Sequence, residues 1–141
     1  MLKALKNKLM KIKQFYHIIK NDEDWDYHFM LDLIEFKLER MANYFFTHNI
    51  VENEYRYGNQ CLTAIKILNA GYNTQIITDK DLGDIYVNSK NARRFLSKEQ
   101  FSDYIKYPDI HKKYFLATIR EEKAKKLFWK YLEHYIEYWW D

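Results

Sequence analysis

The sequence predicts a mostly α-helical chain, a helical bundle of about four main helices with a short irregular or hairpin-like insertion near residues 72–90. Three observations carry that prediction. Gly 3 and Pro 1 are very low counts in 141 residues, whereas sheet-rich folds need many tight turns built from Gly, Pro, Asn or Asp. Hydrophobic residues make up 48% of the chain and aromatics 18%, enough to bury a core without disulfides or a structural metal. Apolar residues recur at alternating steps of three and four, the spacing that lines one side of a helix. The length suits one domain spanning 1–141.

The first helix covers residues 1–20. Leu2, Leu5, Leu9, Ile12, Tyr16 and Ile19 form a heptad-spaced seam, and Lys3, Lys6, Lys8, Lys11, Lys13 and Lys20 occupy the other faces with no acid among them. Three uses fit such a helix: docking on the core, an oligomerisation arm, or attachment to a membrane surface or nucleic acid. Asp22, Glu23, Asp24 and Asp26 then reverse the charge and supply caps for a second helix starting near Asp24 or Trp25. Its stripe is Tyr27, Leu31, Ile34, Leu38, Met41 and Phe45, widened by Phe29, Leu33 and Phe36, and it should end near His48-Asn49.

A third helix is expected from Val51 to Ala70, with Val51, Tyr55, Gly58, Leu62 and Ile65 in one row flanked by Cys61 and Leu68. Gly71 reads as its left-handed C-terminal cap. Gly58, inside the stripe, suggests close approach of a neighbouring helix. Next, 75–78 and 85–87 are either two short extended pieces or parts of an irregular loop. Short helices follow over 90–96 and 98–106, the second opened by a Ser97–Gln100 capping box. Pro108 marks another helix start. From Asp109 to Trp140 the pattern fits one long helix or two shorter ones. Ile110, Tyr114, Ala117, Ala124, Phe128, Tyr131, Tyr135 and Tyr138 lie near one face, interrupted by the polar stretch Arg120–Lys123.

Few chemistries have the residues they need. None of the five histidines falls in an HExxH pair, and a lone cysteine excludes the common zinc patterns. Three scattered glycines cannot make a phosphate loop, and no Gly-x-Ser-x-Gly turn occurs. No cofactor is expected. Asp32, Glu35 and Glu39 share a helix face, as do Glu133, Glu137 and Asp141. Two such faces brought together would hold Mg²⁺ for nucleotide hydrolysis, with Asp32, Glu35, Glu39 and Glu137 as the catalytic set. Lys37 and Arg40 interleave with the first group, however, which reads more simply as a solvated face.

Binding surfaces are better represented. Arg93, Arg94, Lys112, Lys113, Lys126 and Lys130, with aromatics between them, suit an anionic nucleotide or a nucleic acid, although a net charge of +3 is low for a dedicated DNA binder. Consecutive Trp139 and Trp140 point about 100° apart on a helix, so one face cannot hide both rings, and an exposed one favours an interface. With the Leu2–Ile19 seam, they point to a homo-oligomer. A single cysteine permits no internal disulfide, no run is long enough for a membrane span, and the lysine-broken N-terminus is no secretory signal. A cytoplasmic location is the expectation.

Two stretches, Trp25-Asp26-Tyr27 followed by Leu31 and Lys37–Met41, and the ending Glu133–Asp141 with its Trp-Trp-Asp terminus, resemble small uncharacterised proteins of tailed bacteriophages. The resemblance implies a phage accessory protein in the host cytoplasm that binds a host or defence component, or a signalling nucleotide. It assigns no residue a role.

Overall fold

The computed structural model describes residues 2–20, 27–48, 53–72 and 89–139. The chain is mostly α-helical. Among the described residues there are six α-helices and no strand: α1 (Leu2–Ile19), α2 (His28–His48), α3 (Glu54–Tyr72), α4 (Ser89–Phe95), α5 (Lys98–Tyr104) and α6 (Asp109–Tyr135). A 3₁₀ turn, Glu137–Trp139, follows α6. The four long helices are those the apolar repeats predict. The extended pieces expected at 75–78 and 85–87, and the acidic start of the second helix at 22–26, lie outside the described residues. The chain divides into two compact units, Met1–Leu62 and Thr63–Asp141, with the division falling inside α3.

In the first unit, α2 buries Leu31, Leu38, Ala42 and Phe45. Leu31, Leu38 and Phe45 are from the predicted stripe, whereas its Ile34 and Met41 are half-buried, Ala42 is buried beside it, and Tyr27 is exposed and stacks on His28 with ring centroids 4.4 Å apart. The α3 side of this unit corrects the sequence reading. Tyr55 and Leu62, expected in the buried row, are exposed. The buried residues of α3 are instead Glu54, Gly58 and Cys61 in this unit, and Ala64, Leu68 and Gly71 in the second. Four of the six are small, and at Gly58 and Gly71 the missing side chain lets a neighbour come close. The Phe46 ring lies where a Cβ on Gly58 would stand, 2.7 Å away, so the close approach read from Gly58 is present. Phe45 against Tyr57 and Phe46 against Tyr55, with centroids 5.6 and 5.5 Å apart, extend the contact between α2 and α3.

In the second unit, α4, α5 and the first half of α6 build a core from Ala92, Leu96, Tyr104, Leu116 and Ile119, with Phe101 and Phe115 packed against it. Each large apolar side chain buried there contributes roughly 1.5–3 kcal/mol. The capping box that opens α5 is formed as its spacing predicts. Ser97 Oγ accepts from the Gln100 backbone N–H at 3.2 Å, and Gln100 Oε1 accepts from the Ser97 N–H at 3.0 Å. Pro108 is the N-cap of α6, which runs unbroken to Tyr135.

Two expectations fail here. Gly71 does not end α3 as a left-handed cap. The helix continues to Tyr72, and a Cβ on Gly71 would sit 2.9 Å from the Lys125 backbone nitrogen, so the glycine serves a close crossing of α3 over α6. Nor does α6 bury one face along its length. Ile110 and Tyr114 are exposed while Leu116 and Ile119 are buried in the first half, and Phe128 is fully buried in the second. At about 100° per residue the buried direction swings by roughly half a turn between Ile119 and Phe128. The Arg120–Lys123 stretch, which interrupted the predicted face, is where it changes sides. Phe128 meets Tyr72 with centroids 6.4 Å apart, and the Trp129 indole N–H donates to the Tyr72 hydroxyl at 2.7 Å.

Candidate interaction surface

The first helix leans on α2 along one margin of its seam and the side behind that margin. Phe15 is half-buried and packs edge-on against Phe36, their centroids 4.9 Å apart. Arg40 lies over both rings at 5.8 and 5.7 Å and donates to the Gln14 side-chain oxygen. Phe15 lies about 80° around the helix from the centre of the described part of the seam, and Gln14 lies nearly opposite it. Leu9, Ile12, Tyr16 and Ile19 are accordingly left 53–64% exposed. This is more apolar surface than isolated exposed side chains on a folded protein require, since the four follow one another along one helix. Leu2 and Leu5 continue the seam in register, but their side chains lie outside the described residues.

The charge around this seam is of one sign. Lys8 borders one margin, and Lys6, Lys13 and Lys20 border the other, all exposed. In heptad terms, with Leu2, Leu9 and Tyr16 at a and Leu5, Ile12 and Ile19 at d, the e positions are Lys6, Lys13 and Lys20 and Lys8 is at g. Phe15, the residue that fixes α1 to α2, is not one of the seam residues that the apolar repeat picks out. The usable signal is an aromatic at the g position beside the seam, where Lys8 stands one heptad earlier.

No family model, curated protein or solved structure matches this chain.

The remaining candidates are dispersed. Asp32 and Glu39 are exposed on α2 and Glu35 is half-buried there, whereas Glu137 is exposed in the 3₁₀ turn of the second unit. Among the described residues no group of three or more His, Cys, Asp or Glu side chains is placed to hold a metal ion. Arg93 and Arg94 are exposed in the last turn of α4. Lys126 and Lys130 are exposed on the side of α6 that also carries Lys112, and Lys113 lies about 100° away from Lys112. Lys112 is engaged locally, 3.0 Å from an Asp109 carboxylate oxygen and 5.8 Å from the Tyr104 ring centre. Lys123 donates to the Phe95 carbonyl and lies 3.8 Å from that ring's centre. Of the two terminal tryptophans, Trp139 is 5% exposed and so belongs to the interior, and Trp140 lies outside the described residues. The 100° separation expected of the pair assumed a continuous α-helix, but α6 ends at Tyr135 and Trp139 belongs to the 3₁₀ turn.

Cys61 is fully buried, and burial pushes its thiol from 9.0 up to about 12. A nucleophile or redox thiol needs the opposite shift and an open path. The residue is a packing element, as its place on the apolar side of the third helix suggests. Among the described residues no helix is long and apolar enough to cross a membrane.

Proposed function

We propose that this protein works by binding, and that α1 presents the binding surface. One observation carries the reading: the heptad-spaced seam stands exposed while the same helix is attached to its own unit through Phe15 and Gln14. A helix that served only to cover a core would turn its apolar seam inward. The resemblance to small phage proteins supports the same reading, that of an accessory protein acting on a component of the bacterial cell.

A single label tests it. Ile12→Cys places a reactive thiol on the seam, and Cys61 is too buried to compete for a maleimide dye. The labelled chain is mixed separately with the membrane fraction and the soluble proteins of a bacterial lysate. Binding through α1 moves the emission of an environment-sensitive dye to shorter wavelength in at least one fraction. No shift in either fraction, with the labelled chain still folded, removes the reading.

A further inference from the structure

We propose that the α1 seam docks reversibly on a lipid bilayer bearing anionic headgroups, an assignment that rests on α1 being the binding surface. Three kinds of occupant could cover such a seam: a second copy of the chain, an acidic partner helix and a membrane surface. A second copy of the chain would pair seam with seam and bring lysine against lysine. In a parallel pair Lys8 faces Lys13 across the contact, and in an antiparallel pair the e positions Lys6, Lys13 and Lys20 face one another. Residues 1–20 contain no acid to offset this. An acidic partner helix would satisfy the charge but not the length. With 18 residues, α1 is shorter than the three to four heptads over which a coiled-coil pairing is normally sustained.

A membrane interface satisfies both. It needs no register and no partner helix of matching length. It accepts an amphipathic helix lying in its plane with the apolar side sunk to the boundary between headgroups and chains. The seam's Leu9, Ile12 and Ile19 supply that side, and Tyr16 brings an apolar ring with a polar tip, suited to the same depth. Lysines stand at both margins, where their flexible stems run along apolar surface while the ammonium groups reach phosphate. A negatively charged leaflet attracts each of them, and added salt weakens the attraction. Phe15, at the g margin, and Gln14 behind it keep α1 fixed to α2 while the seam residues stay exposed, so the rest of the first unit need not unfold for the helix to bind.

The experiment is flotation of the full chain with phosphatidylcholine vesicles and with mixed phosphatidylcholine–phosphatidylserine vesicles. The chain is expected to float with the mixed vesicles and at least about tenfold less with neutral ones, and added salt should reduce its recovery. Ile12→Asp and, as a milder variant, Leu9→Ser should each lower recovery while leaving the thermal unfolding midpoint in place. Lys8→Glu with Lys13→Glu should abolish the preference for phosphatidylserine. Failure to float with mixed vesicles overturns the lipid assignment, and so does flotation that Ile12→Asp leaves unchanged. A dimer in sedimentation that Ile12→Asp dissolves, or a dye shift at position 12 with soluble proteins but not with vesicles, also overturns it. Both of those outcomes leave α1 as a binding surface with a different occupant.

Discussion

Gly71 is the residue at which the fold leaves least room. A methyl group there would meet the Lys125 backbone nitrogen at 2.9 Å and the Ala124 carbonyl carbon at 3.2 Å. Alanine gains about 1 kcal/mol of helix propensity over glycine, but backbone cannot move aside as a side-chain tip can, and overpacking of this kind costs roughly 1–3 kcal/mol. Gly71→Ala is therefore expected to lower the urea unfolding midpoint. Gly58→Ala should do so less, because its obstacle is the Phe46 ring. An unchanged or raised midpoint for Gly71→Ala would mean that the crossing is wider than described. Cys61 gives a second prediction. In the unfolded chain its thiol ionises near the ordinary 9.0, whereas burial holds it protonated up to about 12. Between these values the unfolded state releases a proton that the folded state keeps, so rising pH favours unfolding. The contribution is whole below about pH 9 and is lost as pH climbs towards 12. Cys61→Ala should flatten that part of the alkaline decline in denaturant stability, and an identical slope in both proteins would exclude the thiol as its source.

At the scale of elements, α6 shows what the periodicity can and cannot carry. The repeat made the helix legible, because steps of three and four run from Ile110 to Ala117 and again from Ala124 to Tyr135, in register across the polar Arg120–Lys123 stretch. It did not reveal that α6 buries opposite sides in its two halves. Hydrophobic spacing reports which residues share a face, and it is silent on where neighbours lie. Here α4 and α5 take one side, next to Leu116 and Ile119, and Tyr72 takes the other, next to Phe128. The same limit produced the error in α3. Bulky Tyr55 and Leu62 look more core-like than Gly58, Cys61 and Ala64, yet small residues line the buried side because helices approach closely there. Local chemistry such as the Ser97–Gln100 box was fully legible because both its partners lie within one turn. Substitutions separate the two faces of α6. Leu116→Ala and Phe128→Ala should cost about 2–5 kcal/mol by the usual measure of large-to-small core changes. Ile110→Ala and Tyr114→Ala should stay within about 0.5 kcal/mol, as exposed positions do. Equal losses at Ile110 and Leu116 in urea titrations would restore the single-face reading.

For the molecule as a whole, the decisive matter is whether the α1 seam belongs to folding or is surplus to it. Most apolar clusters in a protein serve both stability and function, which makes their roles hard to separate. In α1 the two are carried by different residues. Attachment runs through Phe15, which meets Phe36 and lies under Arg40, a ring contact strengthened by a cation held over it. The seam residues Leu9, Ile12, Tyr16 and Ile19 turn away from α2, and their exposure means that little apolar area leaves water when the chain folds. Stability should therefore be sensitive on one side of the helix only. Phe15→Ala loses a half-buried ring and its stacked guanidinium and should cost about 1–3 kcal/mol. Leu9→Ser and Ile12→Asp should lie within about 0.5 kcal/mol of the parent chain, and they add polarity to an apolar surface, so solubility should rise. Thermal unfolding followed by circular dichroism, in parallel with solubility, decides between the cases. If the seam variants unfold as early as Phe15→Ala, the seam is covered within the folded chain and has no surface to offer. If they unfold with the parent, four large apolar side chains are retained on a lysine-rich helix for which folding has no use, and their use lies in what they touch outside the molecule.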